Sequence, residues 1–247
     1  VLRILKGVSK HCYMLESVEN QEVWGRYTFL GYDPKLEITC MNGEMCIRES
    51  GSEEGAKEPV AHPGAKIKEI LKEYTSPKVK DLPSFTGGLV GYFSYDYVKY
   101  SEPKLNLDAD DQEGFKDVDL MLFDKVIAFD NLRQKIYIIA NARTENLEQE
   151  YDRCLAEIEE IVDLIEHGTP AQITPGKITS EFRPLFSEQE YCAMVEKAKH
   201  YIYEGDIFQV VLSNRLEADY EGSLFNAYRM LRTINPSPYM FYFSSDD

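Results

Sequence analysis

Between Lys35 and Glu49 polar and apolar residues alternate on either side of Asn42-Gly43. Alternation at period two marks a half-buried strand, and Asn-Gly accepts the positive φ angles of a two-residue turn, so the segment predicts a hairpin. Glu49 to Pro59 is polar and reads as a surface loop. From Pro63 to Tyr74 the period changes: Ile67, Ile70, Leu71 and Tyr74 fall on one helical face, and Pro63 suits the first turn. Phe85 to Tyr100 mixes glycines with aromatics. Gly87, Gly88 and Gly91 lack the Lys-Ser/Thr of a phosphate loop and are assigned to close packing or a strained backbone. Two apolar strands follow, LMLFDKVIAFD (Leu120 to Asp130) and KIYIIANA (Lys135 to Ala142), joined at Asn131 as a second hairpin.

Glu145 to Glu166 predicts an amphipathic helix with Leu147, Tyr151, Leu155, Ile158, Val162 and Ile165 on its apolar stripe, ended by Gly168. Thr169 to Phe186 is rich in proline, threonine and glycine. It reads as a linker between an amino-terminal domain, 1–175, and a second region, 186–247. Ser187 and Glu190 form a capping box, so a helix runs from there to about Glu204, stopped by Gly205. Its expected buried stripe is Tyr191, Met194, Val195, Ala198 and Ile202. Asp206 to Ala218 predicts a strand with Phe208, Val210 and Leu212 on the core face. Gln209 lies on the opposite face between Ile207 and Val211, where an amide either bonds to nearby backbone or lines a pocket. Ser223 caps a helix to Thr233, Pro236 ends it, and Tyr239 to Phe243 forms an aromatic strand with no return partner after it. Strand pairs followed by helices, without βαβ alternation, give an α+β fold.

Composition narrows the function. A formal net charge of −16 argues against nucleic acid and anionic membranes, which select basic faces. No run approaches the ~20 apolar residues of a membrane span, and no signal segment opens the chain, so a cytoplasmic protein is expected. Part of the acidity is local, in Glu102, Asp108, Asp110, Asp111, Glu113, Asp117 and Asp119, read as a solvated loop. The five cysteines form no C-x-x-C pair and the four histidines no H-x-x-x-H pair, so neither zinc nor a disulfide framework is expected.

Four blocks in order carry a family likeness: YMLESVENQEVWGRYTFLGYDP from Tyr13, FTGGLVGYFSYD from Phe85, EGDIFQVVLSNR from Glu204 and NPSPYMFYF from Asn235. Together they resemble the large, chorismate-using subunit of anthranilate synthase, component I. The resemblance implies an α+β sandwich of mixed or antiparallel sheets with helices packed outside. It implies conversion of chorismate and ammonia to anthranilate and pyruvate with magnesium, the first committed step of tryptophan biosynthesis. A glutamine amidotransferase subunit, component II, would supply the ammonia, and L-tryptophan would inhibit.

The family's tryptophan site maps onto Leu15, Glu16 and Ser17 and onto Pro238, Tyr239 and Met240. Glu16 suits the ligand ammonium, Tyr239 and Met240 the indole, and Arg26 is a candidate for the carboxylate. At the position of Gln209, related isochorismate and salicylate synthases resemble one another in carrying a lysine that activates water. A glutamine takes up no proton at neutral pH, so Gln209 is assigned to pocket polarity. The family's acidic magnesium ligands, histidine and substrate arginine match nothing before Asp247. The chain is therefore expected to be an amino-terminal portion, a regulatory domain plus the first part of the chorismate-binding domain, inactive alone. Alternatives are 4-amino-4-deoxychorismate synthase component I, disfavoured by Val211, Ser237, Tyr239 and Met240, and a tryptophan-binding module without catalysis.

Overall fold

The computed structural model describes residues 1–17, 25–105, 111 and 113–245. They divide into two compact units, Val1–Gln172 with Arg232–Asp247, and Ile173–Leu231. In chain order the first unit holds α1 (Leu2–Val8), β1 (Cys12–Glu16), β2 (Tyr27–Tyr32), β3 (Leu36–Met41), β4 (Glu44–Glu49), β5 (Ala56–Pro59), α2 (Pro63–Glu73), β6 (Gly88–Phe93), α3 (Val98–Ser101), β7 (Val118–Phe123), β8 (Lys125–Asp130), β9 (Lys135–Ala140) and α4 (Leu147–His167). The second holds β10 (Lys177–Ile178), β11 (Arg183–Pro184), α5 (Glu188–Glu204), β12 (Leu216–Glu217) and β13 (Tyr220–Glu221). Helix α6 (Phe225–Ile234) spans the division, and β14 (Met240–Ser244) returns to the first unit. No described helix is long and apolar enough to cross a membrane.

The first unit is the expected α+β sandwich. Its two five-stranded sheets run β14-β1-β2-β8-β9 and β5-β4-β3-β7-β6, and every ladder in them is antiparallel. The sheets meet through aromatics. Tyr13 of β1, fully buried, packs edge-on against Phe123 of β7 at 4.6 Å between ring centroids, with Val90, Met121, Leu15, Phe29, Phe85 and Phe243 around them. Gly31 makes room on the neighbouring strand, because a Cβ there would collide with the Tyr13 ring. Outside the second sheet, α2 sets Ile67 against Ile38, Cys40, Met45, Val118 and Leu120. Strand β7 is thus covered on both faces, which explains its unbroken apolar run.

The Asn42-Gly43 hairpin forms as expected, with φ of 50° and 80° at its two turn residues. The expected polar loop after it contributes one more strand, β5, paired to β4. The run read as a single strand from Leu120 to Asp130 is two strands, β7 and β8, in different sheets. The chain changes sheets at Asp124, whose carboxylate meets Lys35 at 3.3 Å and whose carbonyl accepts from Asn141. In α4 the apolar stripe is wider than the face that packs: Cys154 and Ile161 are buried, while Leu147, Tyr151, Leu155 and Val162 are exposed. Asp117 and Asp119, expected in a solvated loop, are buried. Asp117 accepts from Asn42 N, from Tyr100 Oη and from Lys99, and Asp119 pairs with Lys116 at 3.3 Å. Asp108 and Asp110 lie outside the described residues.

In the second unit the capping box is present in full, and Gly205 closes α5 at φ 81°. No residue of α5 is fully buried: Tyr191, Met194, Val195 and Ala198 of its predicted stripe are partly covered, and Ile202 is exposed. The strand predicted from Asp206 to Ala218 is irregular except for β12, and Phe208 of its expected core face is 93% exposed. A strand persists only with a ladder partner for its N–H and C=O groups, and among the described residues no strand ladder runs along 206–215, although Leu185 N donates to the Arg215 carbonyl and Tyr191 Oη to that of Leu212. The aromatic strand near the carboxyl end shows the converse. Read as an unpaired edge, it is β14, paired along its length to β1. That ladder places residues from Arg232 onward in the first unit, where the sequence put them with 186–247.

Two buried carboxylates hold this framework and set two expectations. Tyr100 Oη donates to Asp117 at 2.7 Å and accepts from Gly43 N at 2.7 Å. Tyr100→Phe strips a donor from a buried acid and leaves a turn N–H unmet. A stability loss of about 1–3 kcal/mol is expected by urea denaturation, and an unchanged midpoint would contradict it. Asp130, with no side-chain exposure, takes the Arg26 guanidinium at 2.8 Å and the Arg133 N–H at 3.0 Å. The Arg26 hydrogen bond lowers its pKa to about 2. A depressed carboxylate stabilises above its unfolded pKa of about 3.9 and stops doing so as pH falls toward the folded value, so this contribution fades between about pH 4 and 2. Arg26→Ala should destabilise the fold clearly at pH 7, where Asp130 is left charged, and less at pH 3, as measured by urea denaturation. Equal losses at both pH values would refute the assignment.

Candidate functional site

The β1–β14 ladder brings opposite ends of the chain together. Its register pairs Cys12 with Ser244, Leu15 with Phe241 and Glu16 with Met240. Directly opposed residues share a face, and successive residues alternate. Leu15 therefore points with Tyr13 and Phe243 into the intersheet core, where all three pack. Glu16 and Met240 lie together on the other face, with Met14 and Tyr242 behind them. Lys6 of α1 donates to Tyr242 Oη at 2.7 Å on that side.

Glu16 is the charged element of this face. Its side chain is 5% exposed and its Oε2 meets Arg232 Nη2 at 2.8 Å. A buried carboxylate needs such a partner, since isolation in a dry setting is costly. Arg232 stands in the last turn of α6, just before Asn235-Pro236-Ser237-Pro238. Pro236 follows the helix end and Pro238 holds φ near that of an extended turn, so the corner delivers Met240 to the ladder. Ser237 Oγ accepts from Tyr239 N at 3.4 Å, Pro238 is half-buried, Tyr239 is exposed and Met240 buried.

Of the sequence-predicted residues, the structure brings Glu16 and Met240 side by side, with Ser17 continuing β1 and Pro238 and Tyr239 leading into β14. It separates Leu15 onto the core face. It commits Arg26 to Asp130, one strand beyond β2 from Glu16. Gln209 sits in the exposed irregular segment of the second unit. Arg232 was missed. Its signal was the acid of the LES element, which demands a cation when buried, together with a basic residue one turn before the proline corner. A separate cleft of 730 Å³ lies against Lys35, Tyr74, Asp124, Asn141 and Arg143. Its cations are engaged, Lys35 with Asp124 and Arg143 with Tyr74 Oη at 2.9 Å. It touches none of the predicted residues. Among the described residues no three His, Cys, Asp or Glu side chains converge to hold a metal ion. They do not fit magnesium, and no step is assigned to it here.

What this face can do chemically is specific. A fixed carboxylate, a guanidinium beside it, a buried thioether and an exposed phenol together match a small zwitterion with an apolar side chain.

Comparison with known proteins agrees with the fold and the family. The anthranilate synthase component 1 of Acetivibrio thermocellus is 38% identical over 242 residues, covering 95% of this chain and 48% of that protein. The corresponding protein of Aquifex aeolicus is 38% identical, over 98% of this chain and 49% of its own length. The chain thus spans about half the length of the curated relatives it matches. The crystal structure of anthranilate synthase component I from Streptococcus pneumoniae superposes with a TM-score of 0.65 at 24% identity, over 90% of this chain and 48% of that one, a likeness of fold. The profile of the family described as chorismate binding enzyme matches residues 10–247. With nearly its whole length matched, this chain belongs to the chorismate binding enzyme family.

Proposed function

We propose that this chain is part of an anthranilate synthase component I, and that the face formed by Glu16, Ser17, Pro238, Tyr239 and Met240 is its tryptophan effector site. The whole protein then converts chorismate and ammonia to anthranilate and pyruvate, with magnesium, in the cytoplasm. Ammonia comes from glutamine through a component II amidotransferase. The observation that carries the effector reading is the register of Glu16 against Met240, which joins the two separated sequence elements into one surface. Glu16 holds the ammonium of tryptophan, and Met240 and Tyr239 take the indole. Leu15 supports the site from behind, through the core. Arg26, the candidate for the ligand carboxylate, is paired with Asp130 in this structure. Gln209 supplies polarity to the chorismate pocket of the whole protein. Its amide neither takes nor gives a proton at neutral pH, which suits a reaction whose nucleophile is ammonia.

These 247 residues span half of the relatives and by themselves turn over no chorismate. Anthranilate formed by this chain from chorismate, ammonia and magnesium would overturn that. In the full-length protein, Ser17→Ala should raise the tryptophan concentration for half-inhibition about tenfold, the effect of one lost polar contact. Turnover should change by less than inhibition does. Parallel loss of both would make Ser17 a structural residue.

A further inference from the structure

The 730 Å³ cleft of the first unit takes no part in the function proposed above. Its volume is that of a small-molecule pocket. Part of its lining carries small side chains or none, through Gly87, Gly88, Ala140 and Ala142. Gly87 is required at its place. At φ 150° a Cβ there would come within 2.8 Å of Asn141 Nδ2 and 3.0 Å of the Phe123 carbonyl oxygen. Tyr74 and Arg143 enter the same lining as a stacked pair. The guanidinium lies 5.3 Å over the Tyr74 ring and donates to Tyr74 Oη at 2.9 Å.

Two cations of this lining have charge to share. The Arg143 side chain bonds only the neutral phenol of Tyr74, and among the described residues it forms no ion pair. Lys35 Nζ stands 3.3 Å from Asp124 Oδ2 with its side chain one-third exposed. Arg153 Nη1 also approaches that carboxylate, at 3.8 Å, so Lys35 can take a second anion without stranding Asp124. Both cations also line an adjoining 410 Å³ cavity with Tyr74, so they stand where the two spaces meet. The acids nearby set the kind of anion. Glu73 and Glu145 line the cleft and Glu49 the adjoining cavity, all three exposed, on a chain of net charge −16. They repel a doubly charged ligand more than a singly charged one. We propose that this cleft binds a small monocarboxylate with a flat apolar body, its carboxylate between Arg143 and Lys35 and its ring against Tyr74 and the small residues. A guanidinium takes a carboxylate through parallel N–H bonds in its own plane, and a flat ring gains contact where no side chain projects. The proposal is independent of the amino-acid reading of the β1–β14 face.

The test is calorimetric titration of the full-length protein with benzoate, with its neutral analogue benzamide, and with phenyl phosphate at pH 8, where the phosphate is doubly charged. Benzoate should bind at least about fivefold more tightly than either. Excess L-tryptophan should not displace it, since the cleft touches none of the effector residues. Arg143→Gln should weaken benzoate about tenfold and Lys35→Gln by less, and both should leave benzamide unchanged. Ala142→Phe keeps both cations and fills the space between them and the glycines, so it should abolish benzoate binding without shifting the urea midpoint. Benzoate that binds no more tightly than benzamide, or that is undiminished by Arg143→Gln or by Ala142→Phe, would overturn the proposal. Displacement by tryptophan would move the carboxylate to the effector face and overturn it as well.

Discussion

The ladder between β1 and β14 is the constraint on which the rest of this structure depends. It joins the first strand of the chain to the last described one and fixes their register over five residue pairs. Because side chains alternate, a slip of one residue would move Glu16 into the intersheet core and Leu15 out of it. The core forbids that slip. Tyr13 is locked between Phe123 and the notch at Gly31, and Leu15 and Phe243 close over the same cluster. The packing of aromatic side chains inside the sandwich thus decides which residues face outward at the strand ends, and so decides the chemistry of the candidate site.

Electrostatics divides the buried charges into two classes. Asp117 and Asp130 have carboxylates surrounded by several donors each, and they hold a hairpin turn and a strand end in place. Glu16 is nearly as deeply placed, and Arg232 reaches it from a half-exposed helix end. A pair with one fixed and one movable member is a natural place for a charged ligand to enter, because substitution costs no new desolvation of the acid. The first class stabilises the fold, and the second is available for function.

Much of this was legible in the sequence wherever a local rule acts alone. The Asn42-Gly43 turn, the Ser187–Glu190 capping box and the Gly205 stop each depend on a few adjacent residues and came out as read. The errors arose where partners are distant. Leu120 to Asp130 is one apolar run in sequence, and only the sheet change at Asp124, held by Lys35 and Asn141, divides it. Residues 206–215 alternate like a strand and find no ladder among the described residues. The exposed flank of α4 reflects a stripe wider than its contact. In the site, motif likeness placed Glu16 beside Met240, which the register shows. It also offered Arg26, which the structure pairs with Asp130. The pairing of Arg232 with Glu16 was not legible, since the two lie at opposite ends of the sequence.

The central claim is that the ends of β1 and β14 form one surface that binds a single amino acid. Amide hydrogen exchange of the full-length protein, with and without L-tryptophan, tests it most directly. Added tryptophan should slow exchange together at Leu15 to Ser17 and at Tyr239 to Phe241, with little change at the Asn42-Gly43 hairpin. Protection of one strand end without the other, or of neither, would contradict it.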